Sequence, residues 1–181
     1  MGSRGLTPTE QAEAWSVFSS ALDYARVRVV EDAGWTNSLP RLQARLAGRP
    51  APSTDNAVTL GYRVCFPRRL DTTAEALAAG RFGDFGWLMH ELTHAWQAER
   101  TGVRYLLQAL QAQMKLGPQV YEYGGESAVR AATAAGKGLA AFNVEQQAEI
   151  ARDSYTHGRH GLDVSAWMPF AAELSRAIPP P

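Results

Sequence analysis

Residues 90–94 read His-Glu-Leu-Thr-His, an H-E-x-x-H pattern. On a helix, positions four apart share one face and lie about 6 Å apart along the axis, so two imidazoles there can converge on one metal ion. Glu91, rotated by one residue, can reach a water on that metal and serve as general base. Zinc is the expected metal: two neutral imidazoles and a carboxylate suit it and leave a position open for water. The competing possibility is a buried helix whose two histidines are satisfied by hydrogen bonds alone.

A zinc site of this kind needs a third protein ligand. The tight extension H-E-x-x-H-x-x-G-x-x-H is absent, since Gln97 replaces its glycine and Arg100 its last histidine, which excludes a metzincin arrangement. The remaining histidines are His157 and His160; otherwise the ligand is a carboxylate. Glu145 and Glu149 are the strongest carboxylate candidates. They lie four apart on one helical face, and the small Ala148 and Ala151 would allow close approach to the histidine helix. One could bind the metal while the other orients an imidazole. Both could equally be solvent-facing glutamates near a helix N-terminus, where the dipole favours them. Peptide hydrolysis also needs a donor for the oxyanion. The candidates are Tyr155 and His157, on or after the same helix, and Tyr121 and Tyr123. Cys65 has no histidine near it in sequence and is not expected to be a nucleophile. The glycines of residues 80–86 lack the Lys-Ser/Thr of a phosphate loop.

The elements that must position these residues read as α+β. Thr7-Pro8-Thr9-Glu10 is a helix start, with Thr7 as cap, and apolar residues follow at helical spacing. Residues 26–30 and 57–66 read as strands. In the second, Val58, Leu60, Tyr62, Val64 and Phe66 alternate with Thr59, Gly61, Arg63 and Cys65. Residues 34–52 are loop-like, with a helical turn at 41–46. Helices are expected at 73–79, 85–100 (capped by Asp84), 103–116, 128–135, 143–157 (Asn143 as cap, Gln146 completing a capping box) and 164–177, where Pro169 threatens a kink. Tyr121 to Tyr123 reads as extended. The layout is a small sheet in the N-terminal third followed by a mainly helical body.

The chain has 181 residues, with 45% hydrophobic and 20% charged, which suits one ordinary globular domain and not a disordered chain. We expect a single domain over 1–181, with an N-terminal helix and sheet at 6–70 and a helical body carrying the site at 71–178. Eighteen basic residues balance eighteen acidic ones, so no global field favours nucleic acid or an anionic membrane. The single cysteine excludes an internal disulfide and an all-cysteine metal site. No apolar run is long enough for a membrane span. No signal peptide is evident, so the expectation is a cytoplasmic protein or one exported by a signal-independent route.

The chain resembles the zincin-like metallopeptidases found beside, or fused to, Rhs, Vgr and contractile-injection-system proteins. The residues that carry the likeness are Leu6-Thr7-Pro8, the run from Asp23 to Arg28, the strand from Asn56 to Pro67, the segment LMHELTHAWQ from Leu88 to Gln97, and FNVEQQAEI from Phe142 to Ile150 with Asp153 and Tyr155 behind it. The resemblance implies a minimal zincin fold, a short twisted sheet whose edge strand, at about 58–66, runs along the cleft and pairs with an extended peptide. It implies zinc bound by His90, His94 and Glu145, with Glu149 as second choice, and Glu91 as the base. The implied activity is zinc-dependent peptide-bond hydrolysis of a protein or peptide substrate, by an effector or processing enzyme of a bacterial secretion system. The alternative is a non-catalytic scaffold that binds a partner through its cleft or sheet edge. The stretch after Arg28 is acidic (Glu31, Asp32), where the resemblance leads one to expect a basic segment.

Overall fold

The computed structural model describes residues 2–38, 41, 45, 48, 50, 55–102 and 117–177. Helix α1 (Pro8–Phe18) begins as its sequence dictates. The Thr7 hydroxyl accepts from the Glu10 amide at 3.1 Å, and the Glu10 carboxylate accepts from the Thr7 amide at 2.8 Å. Glu10 is fully buried and does more than cap: it takes two hydrogen bonds from the Arg4 guanidinium, at 2.7 and 2.9 Å, and one from the Thr72 hydroxyl. Arg4 also bridges to Val29 through its backbone, so this half-buried pair ties the segment before α1 to the sheet.

The sheet has three short strands, β1 (Arg28–Val30), β2 (Val58–Leu60) and β3 (Arg63–Cys65), in the order β1-β3-β2. β1 runs parallel to β3, and β2 antiparallel to it. The single strand expected over residues 57–66 is therefore a hairpin. Gly61 adopts φ +63°, the left-handed conformation that a two-residue turn needs and that glycine supplies without strain. The turn changes which residues face inward. Thr59 pairs with Val64, and both are buried, while Leu60 points to solvent. Cys65 lies on the other side, buried in a small cluster with Val30 and Ala33.

Helix α2 (Ala74–Ala78) is capped by the Thr73 hydroxyl. Helix α3 (Gly83–Thr101) carries the H-E-x-x-H motif through the middle of the molecule. One side packs Phe85, Leu88, Met89, Leu92 and Ala95 into the main hydrophobic cluster, which also holds Phe18, Val29, Val64 and Phe170. Asp84 does not cap this helix. It sits in the first turn and binds the Arg68 guanidinium at 2.7 and 2.8 Å and the Asp71 amide. Helix α4 (Gly125–Ala134) starts three residues before the expected position. Helix α5 (Val144–Arg159) has the expected Asn143–Gln146 capping box, with both reciprocal bonds present. Helix α6 (Met168–Leu174) is shorter than expected: Pro169 sits in its first turn, where a missing amide costs nothing, and so starts the helix without kinking it.

Residues 117–121 form a 3-10 turn in place of an extended start to the Tyr121–Tyr123 segment. The helix expected at 103–116 lies outside the described residues, as does most of the turn expected at 41–46. Among the described residues, six helices and a small sheet near the N-terminus make this an α+β fold. Among the described residues no helix is long and apolar enough to cross a membrane.

α3 and α5 pack against each other closely because their contact residues are small. Ala148 and Ala151 of α5 are fully buried. On α3, Gly86 lies where a β-carbon would come within 2.6 Å of the Thr156 methyl group on α5. This packing brings the first turns of α5 to the histidines.

Candidate metal centre

The buried polar side of α3 holds His90, Glu91, His94 and Gln97, each no more than 6% exposed. Burial of so many polar groups on one helix is costly unless each finds a partner. The partners come from α5 and β2. His90, His94 and Glu145 form a buried cluster that could hold a metal ion, with one ligand atom from each within 4.8 Å of the others. The His90 and His94 Nε2 atoms are 3.3 Å apart, and Glu145 Oε2 lies 3.5 and 3.2 Å from them.

These lengths are a test of fit. Metal–ligand distances of about 2.0–2.1 Å in a tetrahedron require ligand atoms about 3.3 Å apart. The triangle has those edges, so its three residues fit a small divalent metal, and two nitrogens with one carboxylate oxygen make a suitable donor set. Glu149 stands at the other nitrogen of the His90 ring. Its Oε1 lies 3.0 Å from His90 Nδ1, on the far side of the ring from Glu145. A carboxylate here is an acceptor, so the His90 Nδ1 proton points to Glu149 and Nε2 faces the cluster. His94 Nδ1 is held at 2.8 Å by Gln97 Oε1.

Three carboxylates surround the two imidazoles, so the site favours a cation. Burial works to lower the pKa of His90, but its hydrogen bonds to the Glu145 and Glu149 carboxylates and the charge of Glu91 outweigh it and raise the value to about 10. His94 is raised for similar reasons, with Glu145 the main opponent of burial. Glu145 moves the opposite way: burial works to raise its pKa, yet the neighbouring imidazoles hold it well below the usual carboxylate range. Protons or a divalent metal would satisfy the same demand.

Glu91 is held by the sheet. The Thr59 hydroxyl lies 2.7 Å from Glu91 Oε2 and 3.3 Å from the Glu91 backbone carbonyl. Sequence reasoning missed Thr59, because unbroken alternation over residues 57–66 puts it on the solvent side. It placed Gln97 on the helical side of His90 and His94 but gave it no role. The signal available for Gln97 was its place on the same helical side as His90 and His94.

Two expected site residues lie elsewhere. The Tyr155 phenol donates to Glu13 Oε2 at 2.7 Å, on the side of α5 that faces α1, and Arg159 pairs with the same carboxylate. Burial and that carboxylate push the Tyr155 pKa up, so the group serves packing between helices. His157 packs at a tilt against Trp167, ring centres 4.9 Å apart, and lies twelve residues beyond Glu145, about 18 Å along the helix. His160 packs edge-on to Phe82. Tyr123 hydrogen-bonds to Asp153 and accepts from the Trp167 indole. Of the four oxyanion candidates, Tyr121 is the one whose ring stands beside a cluster residue, 6.2 Å from that of His90.

Comparison of the chain with protein-family models, with curated proteins and with solved structures finds no match.

Proposed function

We propose that this protein is a zinc-dependent metallopeptidase of the zincin kind, with His90, His94 and Glu145 as ligands and Glu91 as general base. The triangle of ligand atoms with tetrahedral edges, and a glutamate directly after its first histidine, is the observation that carries the proposal. Bound zinc supplies Lewis acidity, which polarises a peptide carbonyl and makes a water more acidic. The protein's residues do the rest. Glu149 and Gln97 hold the two rings from behind. Thr59 occupies Glu91 Oε2, which leaves Oε1 to take a proton from the attacking water and return it to the leaving amine nitrogen. β2 is an outer strand of the described sheet and its Thr59 bonds to Glu91, so an extended substrate lying along it would reach Glu91. The likeness to secretion-system metallopeptidases makes an effector or processing role part of this proposal.

A second reading draws on the burial of the ligands. A metal held so deeply would also suit a non-catalytic scaffold that binds a protein partner. The Glu91→Gln variant separates the two. The protein is loaded with one equivalent of zinc and offered an unfolded protein and a mixed peptide library. The expected result is cleavage by the wild type and no cleavage by Glu91→Gln, with zinc retained in both. Cleavage unchanged in the variant would refute the base assignment. A zinc-loaded wild type that cuts neither substrate would favour the scaffold.

A further inference from the structure

The orientation of two side-chain amides behind the metal cluster can be read without reference to the histidines. Gln147 Nε2 lies 3.2 Å from the Leu139 carbonyl and 2.9 Å from the Phe142 carbonyl. Backbone carbonyls only accept, so the nitrogen end of Gln147 must face them and its Oε1 must face the other way. That oxygen is 3.0 Å from Gln97 Nε2. The second hydrogen on Gln97 Nε2 goes to the Val144 carbonyl at 2.9 Å, again an obligate acceptor. Gln97 is therefore fixed with its nitrogen toward α5 and its Oε1 toward His94 Nδ1. An amide oxygen cannot donate. His94 must carry a proton on Nδ1, and its Nε2, 3.2 Å from Glu145 Oε2, is the atom left to bind a metal.

We propose that Gln97 is a positioning residue of the metal centre, which fixes both the tautomer of His94 and the place of Glu145 through one amide. This rests on the metal-site reading above. The second part follows from chain connectivity: Val144, which accepts from Gln97, immediately precedes Glu145 on α5. The two histidines are then unequal. His90 is backed by the carboxylate of Glu149, His94 by a neutral amide, so the amide's polarity is set by the fold and not by ionisation. Gln97 is buried and its three polar hydrogen-bonding positions are all engaged, which a surface-facing glutamine does not need.

The test is zinc affinity by chelator competition in wild type, Gln97→Leu and Gln97→Glu, with folding checked by circular dichroism. Glutamate keeps an acceptor at the same reach but cannot donate to Val144. Gln97→Leu is expected to bind zinc roughly 10–100-fold more weakly, the loss typical of removing an outer partner of a ligating histidine. Gln97→Glu, which keeps the acceptor for His94 but loses the donor to Val144, is expected to fall between wild type and Gln97→Leu. In zinc-loaded wild type, nitrogen NMR of the His94 ring should show the proton on Nδ1. Wild-type affinity in Gln97→Leu, or a proton on Nε2, would overturn the proposal. Equal losses in the two variants would show that the acceptor held to His94 contributes nothing and would overturn it too. A folded wild type that takes up no zinc would overturn it at its premise, the metal site itself.

Discussion

Gly86→Ala is the sharpest test of the helix contact that assembles the centre. A β-carbon at Gly86 would lie 2.6 Å from Thr156 Cγ2 and 3.4 Å from Arg152 Cγ. Carbon atoms prefer about 3.5–4.0 Å, so the first contact is short by about 1 Å. Arg152 can bend away. Thr156 is less free: it is β-branched, and its hydroxyl is bonded to the Arg152 carbonyl at 2.9 Å, so turning the methyl away would sacrifice that bond. Overpacking of this kind costs about 1–3 kcal/mol, against a gain of about 1 kcal/mol for alanine over glycine inside a helix. The net expectation is a loss of about 0–2 kcal/mol in denaturant unfolding of the metal-free protein. Gly86 lies one turn before His90, so any separation of α3 from α5 also opens the ligand triangle and should weaken zinc binding several-fold. Thr156→Ser removes only the offending methyl. The double variant should therefore recover zinc affinity and gain about 1 kcal/mol over wild type, with a coupling of about 1–3 kcal/mol between the two sites. A single Gly86→Ala variant that is stabilised by the full helix-propensity term, with no coupling to Thr156, would refute this account of the interface.

Glu145→Ala and Glu149→Ala should part company in bound zinc measured by elemental mass spectrometry. The first removes an atom of the ligand triangle and should leave little metal after dialysis, while the second removes only the partner of His90 Nδ1 and should weaken affinity about 10–100-fold. Equal retention in both would contradict the division of roles. Acid should act through Glu10. Hydrogen bonds from Arg4, Thr72 and the Thr7 backbone, against burial, hold its pKa below the usual value. Its stabilisation is therefore present above about pH 4.3, the unfolded value, and is lost as pH falls from there through the folded value. Relative to wild type, Glu10→Gln should cost about 2 kcal/mol at neutral pH, discounted because Arg4 is partly exposed, and the gap should close in acid. A pH-independent difference would show that charge is not what Glu10 contributes.

The parts of the centre written locally were legible in the sequence. His90, Glu91 and His94 depend only on helical spacing within five residues, and α5 announces its start through Asn143 and Gln146. The pairing of Glu145 and Glu149 was legible as a shared face, but not the division of labour between them. That depends on the rotation of α5 about its axis, set by contacts far away in sequence, among them Gly86 with Thr156 and Tyr155 with Glu13. Tyr155 and His157 show the same limit. Nearness in sequence to Glu145 suggested the site, but α5 turns Tyr155 toward α1 and carries His157 well beyond the cluster.

Thr59 shows a different limit, which bears on how Glu91 is held. Strict alternation over residues 57–66 makes Thr59 a solvent residue and Leu60 a core residue. A two-residue turn at Gly61 and Tyr62 reverses the chain and changes the parity, because the partners across the turn are Thr59 with Val64. The face that buries Val64 must then bury Thr59 as well, next to α3. A buried hydroxyl needs a partner, and the carboxylate of Glu91 lies 2.7 Å away. The residue that alternation assigns to solvent is thus the one that reaches Glu91. Had the strand run straight through, the same ten residues would have presented Leu60 to Glu91 and left a buried carboxylate with no hydroxyl to hold it. The glycine that turns the hairpin therefore acts on the site at one remove, by choosing which face of β2 meets the motif.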